Sequence, residues 1–112
     1  MKPGDIVLIS LPQSDKQFKK RPVLLLKKMP GFGDWLVCGI STQLHQYVPY
    51  FDEIIDRNHP DFKSSGLLAP SLVRLSFIAI VPASDIPGTI GTLGTFTMSK
   101  IIKNLIDFLK KS

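Results

Sequence analysis

The chain has 112 residues, 44% of them hydrophobic and 21% charged, with a net charge of +5; this is the mixture of one globular domain, expected to span residues 1–112, and excludes a disordered chain. One cysteine, Cys38, excludes an internal disulfide, and two histidines without a Cys-x-x-Cys pair argue against a zinc centre. No apolar run reaches the roughly 20 residues of a membrane-spanning helix, so a cytoplasmic protein without metal or cofactor and without membrane contact is expected.

Charge is unevenly spread: net +4 over residues 1–35, −2 over 36–98 and +3 over 99–112. A basic N-terminal third suits a polyanion or an acidic protein as partner, unless the lysines serve solubility alone. In chain order, the turn pair Pro3-Gly4 leads into the β-branched run Asp5–Leu11. A polar loop, Pro12–Lys20, precedes a strand over Arg21–Met29, with Pro22 at its start. After the turn Pro30–Asp34, the run Trp35–Gln43 is apolar on both faces and reads as a buried central strand of a meander.

From Leu44 to Ser65 the pattern loosens, with one short strand at Asp52–Ile55. Strand patterns resume at Gly66–Ala69 and Arg74–Pro82, and a last short strand lies within Gly88–Gly94. The period then changes. Ile101, Ile102, Leu105, Phe108 and Leu109 fall on one face of a helix, with Thr95 as candidate N-cap and Lys110-Lys111 at the negative end of its dipole. The expected architecture is a small antiparallel β-barrel with a C-terminal α-helix.

Few residues offer chemistry. Cys38 could pair with His45 or His59 as a nucleophile and base, but a thiol inside an apolar strand is more commonly inert packing. More suggestive are Arg21, beside the basic loop, and Ser41-Thr42-Gln43 at the end of the third strand. A guanidinium fork suits a phosphate, and hydroxyl and amide donors suit phosphate oxygens or a ribose 2′-OH. Alone, each of these is also an ordinary surface charge or strand exit.

In sequence order, Pro3-Gly4-Asp5-Ile6-Val7, the loop ending in Lys20-Arg21-Pro22-Val23-Leu24-Leu25, the strand end Ile40-Ser41-Thr42-Gln43 and an Ile/Leu-rich helix from about Phe96 resemble the MazF/PemK family of toxins from type II toxin–antitoxin pairs. The resemblance implies an SH3-like barrel forming a homodimer. It also implies a sequence-selective, metal-independent endoribonuclease that cuts single-stranded RNA to a 2′,3′-cyclic phosphate and a 5′-hydroxyl. The family's catalytic arginine falls on Arg21 and its catalytic threonine on Ser41, with Thr42 beside it. An antitoxin with an acidic, partly disordered segment is the implied partner. RNA contacts are expected from Lys16, Lys19, Lys20, Gln43 and His45, and Phe18 and Phe32 are candidate base-stacking rings.

One departure stands out. Many members carry an acidic residue and a glutamine where this chain reads Ala69-Pro70-Ser71-Leu72-Val73-Arg74. His45 is the candidate replacement, and the acids Asp52, Glu53 and Asp56 either face solvent or shape which bases enter. Three other readings stay open: a relative that binds RNA or antitoxin without cutting, a peptide-binding SH3-like module using Phe18, Phe32, Trp35, Tyr47, Tyr50 and Phe51, and a gyrase poison on the same fold.

Overall fold

The computed structural model describes residues 1–12 and 18–111. Its frame is a six-stranded sheet in the order β4-β5-β3-β2-β1-β6, built from β1 (Asp5–Pro12), β2 (Phe18–Lys28), β3 (Trp35–Ser41), β4 (Glu53–Ile55), β5 (Ser71–Val81) and β6 (Thr89–Thr92). Every pairing is antiparallel, and the sheet curls into a half-barrel. A four-residue helix α1 (Phe62–Ser65) and the C-terminal helix α2 (Thr95–Lys110) complete the regular structure, with short 3-10 turns at Leu44–Gln46 and Ala83–Asp85.

Apolar residues fill both faces of the sheet, which is why its central strands read as unbroken hydrophobic runs. Ile6, Leu24, Cys38, Ile40, Val73 and Leu75 join Ile101 and Leu105 of α2 in one core. Their strand neighbours Val7, Val23, Leu25 and Val37 pack with Trp35 and Val81 in a second core behind the sheet. Helix α2 buries Thr97, Ile101 and Leu105, whereas Phe108 and Leu109 are exposed although they continue the apolar spacing. The helix outruns the sheet it covers.

The expected strands and C-terminal helix are present, with three local differences. β2 begins at Phe18, so Lys19 and Lys20 are strand residues paired with Leu11 and Ser10, not loop residues. Gly66–Ala69 forms no strand: Gly66 ends α1 at φ 73°, and regular pairing waits until Ser71, past Pro70. The N-cap of α2 is Gly94, not Thr95, and its amide donates to Asp61 Oδ2 at 3.0 Å.

An irregularity in β5 sets up the site. Cys38 pairs with Ile78 while the next residue, Gly39, pairs with Arg74, so Leu75, Ser76 and Phe77 are extra residues with no opposite number on β3. The bulge also exchanges faces. Val73 before it and Leu75 at its start point into the first core; after it, Ala79 and Val81 lie against the second. Strand alternation therefore sends both Arg74 and Phe77 to the second-core side.

Candidate active site

A cleft of about 260 Å³ opens where the ends of β2, β3 and β5 meet, lined by Arg21, Ser41, Thr42, Gln43, Ser71, Arg74 and Phe77 over the backbone of Pro22, Gly39 and Ile40. Register explains the grouping. Val23 and Arg74 flank Gly39 on either side, and Arg21 stands two residues before Val23 as Ser41 stands two after Gly39. Arg21 and Ser41 are thus drawn to the same end of the sheet. Arg21 is exposed; Arg74 is half-buried.

The hydroxyls differ in what they can offer. Ser41 Oγ accepts the Gln43 amide at 3.0 Å, closing a small turn at the strand exit. That bond uses an oxygen lone pair and leaves the hydroxyl proton to donate into the cleft. Ser71 instead donates its proton to the Ala69 carbonyl at 2.8 Å, so it can serve an incoming ligand only as an acceptor. Among the described residues, no carboxylate lines this cleft.

Sequence expectations fare unevenly. Arg21, Ser41, Thr42 and Gln43 come together as expected. Lys19 shares the side of β2 that carries Arg21, by strand alternation, while Lys20 points the other way into a separate hollow beside Ser10 and Asp85. His45 sits exposed in the 3-10 turn after Gln43 and is not among the residues that line the cleft. Lys16 lies outside the described residues, as does the side chain of Phe18. Phe32 is 97% exposed, in the turn after the far end of β2 from Arg21.

Asp52 and Glu53 turn out to be structural. Asp52 is 3% exposed, and its carboxylate accepts the amides of Val48 and Leu75, both at 3.0 Å. Glu53 bonds His59 Nε2 at 3.1 Å and Lys100 Nζ at 3.2 Å. His59 Nδ1 accepts the Asp61 amide at 2.9 Å, which places the ring proton on Nε2, facing Glu53. Both ring nitrogens are therefore committed, and His59 is no general base. Cys38 is fully buried; removal from water pushes its thiol up to about 12, with the charge of Asp52 adding to the effect. It is packing, not a nucleophile.

The residues missed in the sequence are Arg74, Ser71 and Phe77. Arg74 had a signal: it is the one charged side chain in the strand-like run Ser71–Val81. Phe77 had none, because its placement depends on the bulge. Two rings of the aromatic set expected for a peptide-binding groove are committed elsewhere. Trp35 is in the second core, and Phe51 packs on Phe108 of α2 with ring centroids 4.9 Å apart.

Comparisons with known proteins agree with this frame. No curated protein matches the chain. Among solved structures, the Mycobacterium tuberculosis toxin MazF-mt6 superposes with a TM-score of 0.70 over 96% of this chain and 98% of its own, at 22% identity, a likeness of fold. A family model described as PemK-like, MazF-like toxin of type II toxin–antitoxin system matches residues 2–109. The chain belongs to that toxin family.

Proposed function

We propose that this toxin is a sequence-selective endoribonuclease of single-stranded RNA, acting as a cytoplasmic homodimer and held in check by an antitoxin whose acidic segment occupies the same cleft. The observation that carries the reading is the convergence of Arg21, Arg74 and the Ser41 hydroxyl in one cleft. Two guanidinium groups and a hydroxyl donor provide a cradle for a phosphodiester, whose charge rises from one to two on the way to the transition state.

In this reaction the substrate's own 2′-hydroxyl attacks the adjacent phosphorus and the bond to the 5′-oxygen breaks. The products are a 2′,3′-cyclic phosphate and a 5′-hydroxyl. The nucleophile comes from the RNA, so the scheme requires no metal-bound water. Arg21 and Arg74 hold the non-bridging oxygens and stabilise the added charge, and Ser41 donates to one of them or orients the 2′-hydroxyl. Lys19, on the side of Arg21, attracts the neighbouring backbone.

The test is to incubate the EDTA-treated protein with a long, mixed-sequence single-stranded RNA and map new 5′ ends. Cuts at a recurring short motif are expected, and Arg21→Ala should reduce their rate at least about 10²-fold, as loss of a charge-stabilising donor does elsewhere. RNA left intact by a folded, antitoxin-free dimer overturns the nuclease reading. A second reading, a relative that binds RNA without cutting it, is favoured by one observation: among the described residues no carboxylate lines the cleft, so they supply no obvious side-chain base for proton transfer.

A further inference from the structure

We infer that Phe77 forms a nucleobase subsite beside the two arginines, a stacking shelf built by the β5 bulge. The inference rests on reading the cleft as a nucleic-acid site, but not on that site being catalytic. The ring lies over the backbone of Gly39, and a Cβ built there would stand 3.0 Å from Phe77 Cδ1 and 3.3 Å from its Cβ and Cγ. Glycine is thus what lets the ring settle onto β3, and the ring in turn is fixed from that side. It remains 40% exposed and lines the cleft with Arg21, Ser41, Thr42 and Arg74.

An unbroken strand would point residues 74 and 77 in opposite directions. The bulge between the Gly39–Arg74 and Cys38–Ile78 pairs brings both to one side. Bulges beside sites commonly re-aim a side chain in this way. A half-exposed aromatic ring within a cleft that also holds two guanidinium groups matches the chemistry of a nucleotide, a flat π-face next to an anionic phosphate. Stacking of this kind accepts every base, and alanine substitution of such rings weakens binding by about 5- to 150-fold. The shelf therefore contributes affinity and fixes one base next to the bound phosphate, while base identity is read by other contacts.

The test compares two fluorescein-labelled probes of equal charge by anisotropy. One is a 12-nucleotide single-stranded DNA of mixed sequence, uncleavable because it lacks the 2′-hydroxyl. The other is a 12-unit abasic phosphodiester chain. Wild-type protein should bind the base-bearing strand about 10-fold or more tightly than the abasic chain. Phe77→Leu should lose most of that preference while holding the abasic chain as wild type does, and Phe77→Trp should keep it. Equal binding of both probes by wild type, or an undiminished preference in Phe77→Leu, overturns the subsite. So does dissociation of a wild-type dimer into monomers in Phe77→Leu by sedimentation, which would assign the ring to an interface. RNA cleavage is scored separately: a protein that cuts nothing yet shows the Phe77-dependent preference keeps the subsite and loses only the nuclease reading.

Discussion

The Asp52 carboxylate accepts the Leu75 amide at 3.0 Å across 23 positions of chain. Leu75 is one of the extra residues of the bulge, so it has no partner on β3. At 2% exposure its amide has no access to water either. Asp52 supplies the missing acceptor with one oxygen and holds Val48 with the other. An unsatisfied buried amide costs about 1–3 kcal/mol, and hydrogen bonds to a charged acceptor contribute about 1.5–3. The bulge that aims Arg74 and Phe77 is thus held open by a carboxylate in the preceding segment.

Asp52→Ala should therefore lower unfolding free energy by about 2–4 kcal/mol, read from the shift of the urea midpoint at unchanged slope. Asp52→Asn keeps one carbonyl acceptor and should lose roughly half as much. If the bulge relaxes in the alanine variant, the preference for base-bearing strands should fall with it. A midpoint within about 0.5 kcal/mol of wild type would show that the clamp is dispensable.

Cys38 should resist thiol reagents while the protein is folded. Burial pushes its pKa to about 12, so at pH 8 the native state presents almost no thiolate and no path to it. Reaction with a chromogenic disulfide reagent should be absent in buffer and complete in denaturant, at a rate governed by opening. Prompt modification of the native protein would contradict the burial.

Asp5 makes stability depend on acid. Burial by itself raises this carboxyl, but hydrogen bonds from the Lys2 ammonium at 2.8 Å and amide at 3.0 Å outweigh it and hold the pKa below the ordinary value. A carboxyl depressed in the folded state adds stability that is complete above the unfolded value near 3.9 and is lost as pH falls through the folded one. Asp5→Asn should be less stable than wild type at pH 6, with the difference shrinking steadily below about pH 4. Thermal melts across that range provide the check, and a gap that persists undiminished at the acid end would exclude the linkage.

Gly91 should be intolerant of alanine and Gly88 indifferent to it. A Cβ at Gly91 would run into the Ser65 carbonyl and the Ser64 oxygen where α1 crosses β6, whereas nothing lies within 4 Å of one at Gly88. Gly91→Ala should cost about 3 kcal/mol or more through backbone displacement. Gly88→Ala should stay within about 0.5 kcal/mol of wild type. Denaturant midpoints of the two variants decide it.

What the sequence disclosed follows from what is local. Val23–Leu26 and Trp35–Ile40 are buried on both sides, so their apolar runs announce central strands, and the Ile101–Leu105 spacing announces the helix. Arg21 and Ser41 were within reach because each lies at a strand end and the meander of β1, β2 and β3 is consecutive. The contribution of β5 was not, since residues 71–77 meet β3 only after the long middle segment has folded back, through a bulge with no residue signature. Asp52 and Glu53 misled for the same reason. A carboxylate that serves a distant amide is indistinguishable, in sequence, from one that faces solvent or a ligand.

The later part of segment 44–65, so loosely patterned in sequence, is tied down between Phe51 and Ser64. Besides Asp52 to Leu75, the Asn104 amide donates to the Phe51 carbonyl at 3.2 Å, Lys100 reaches Glu53 at 3.2 Å, Asp61 receives the Gly94 amide at 3.0 Å and Ser64 donates to the Thr92 carbonyl at 3.0 Å. Most of these ties end on α2 or on the approach to it. The segment and the helix should therefore open together, as one cooperative unit whose amides exchange with solvent at a common rate. A disturbance that loosens α2 should then reach, through Asp52 and Leu75, the strand that carries Arg74 and Phe77.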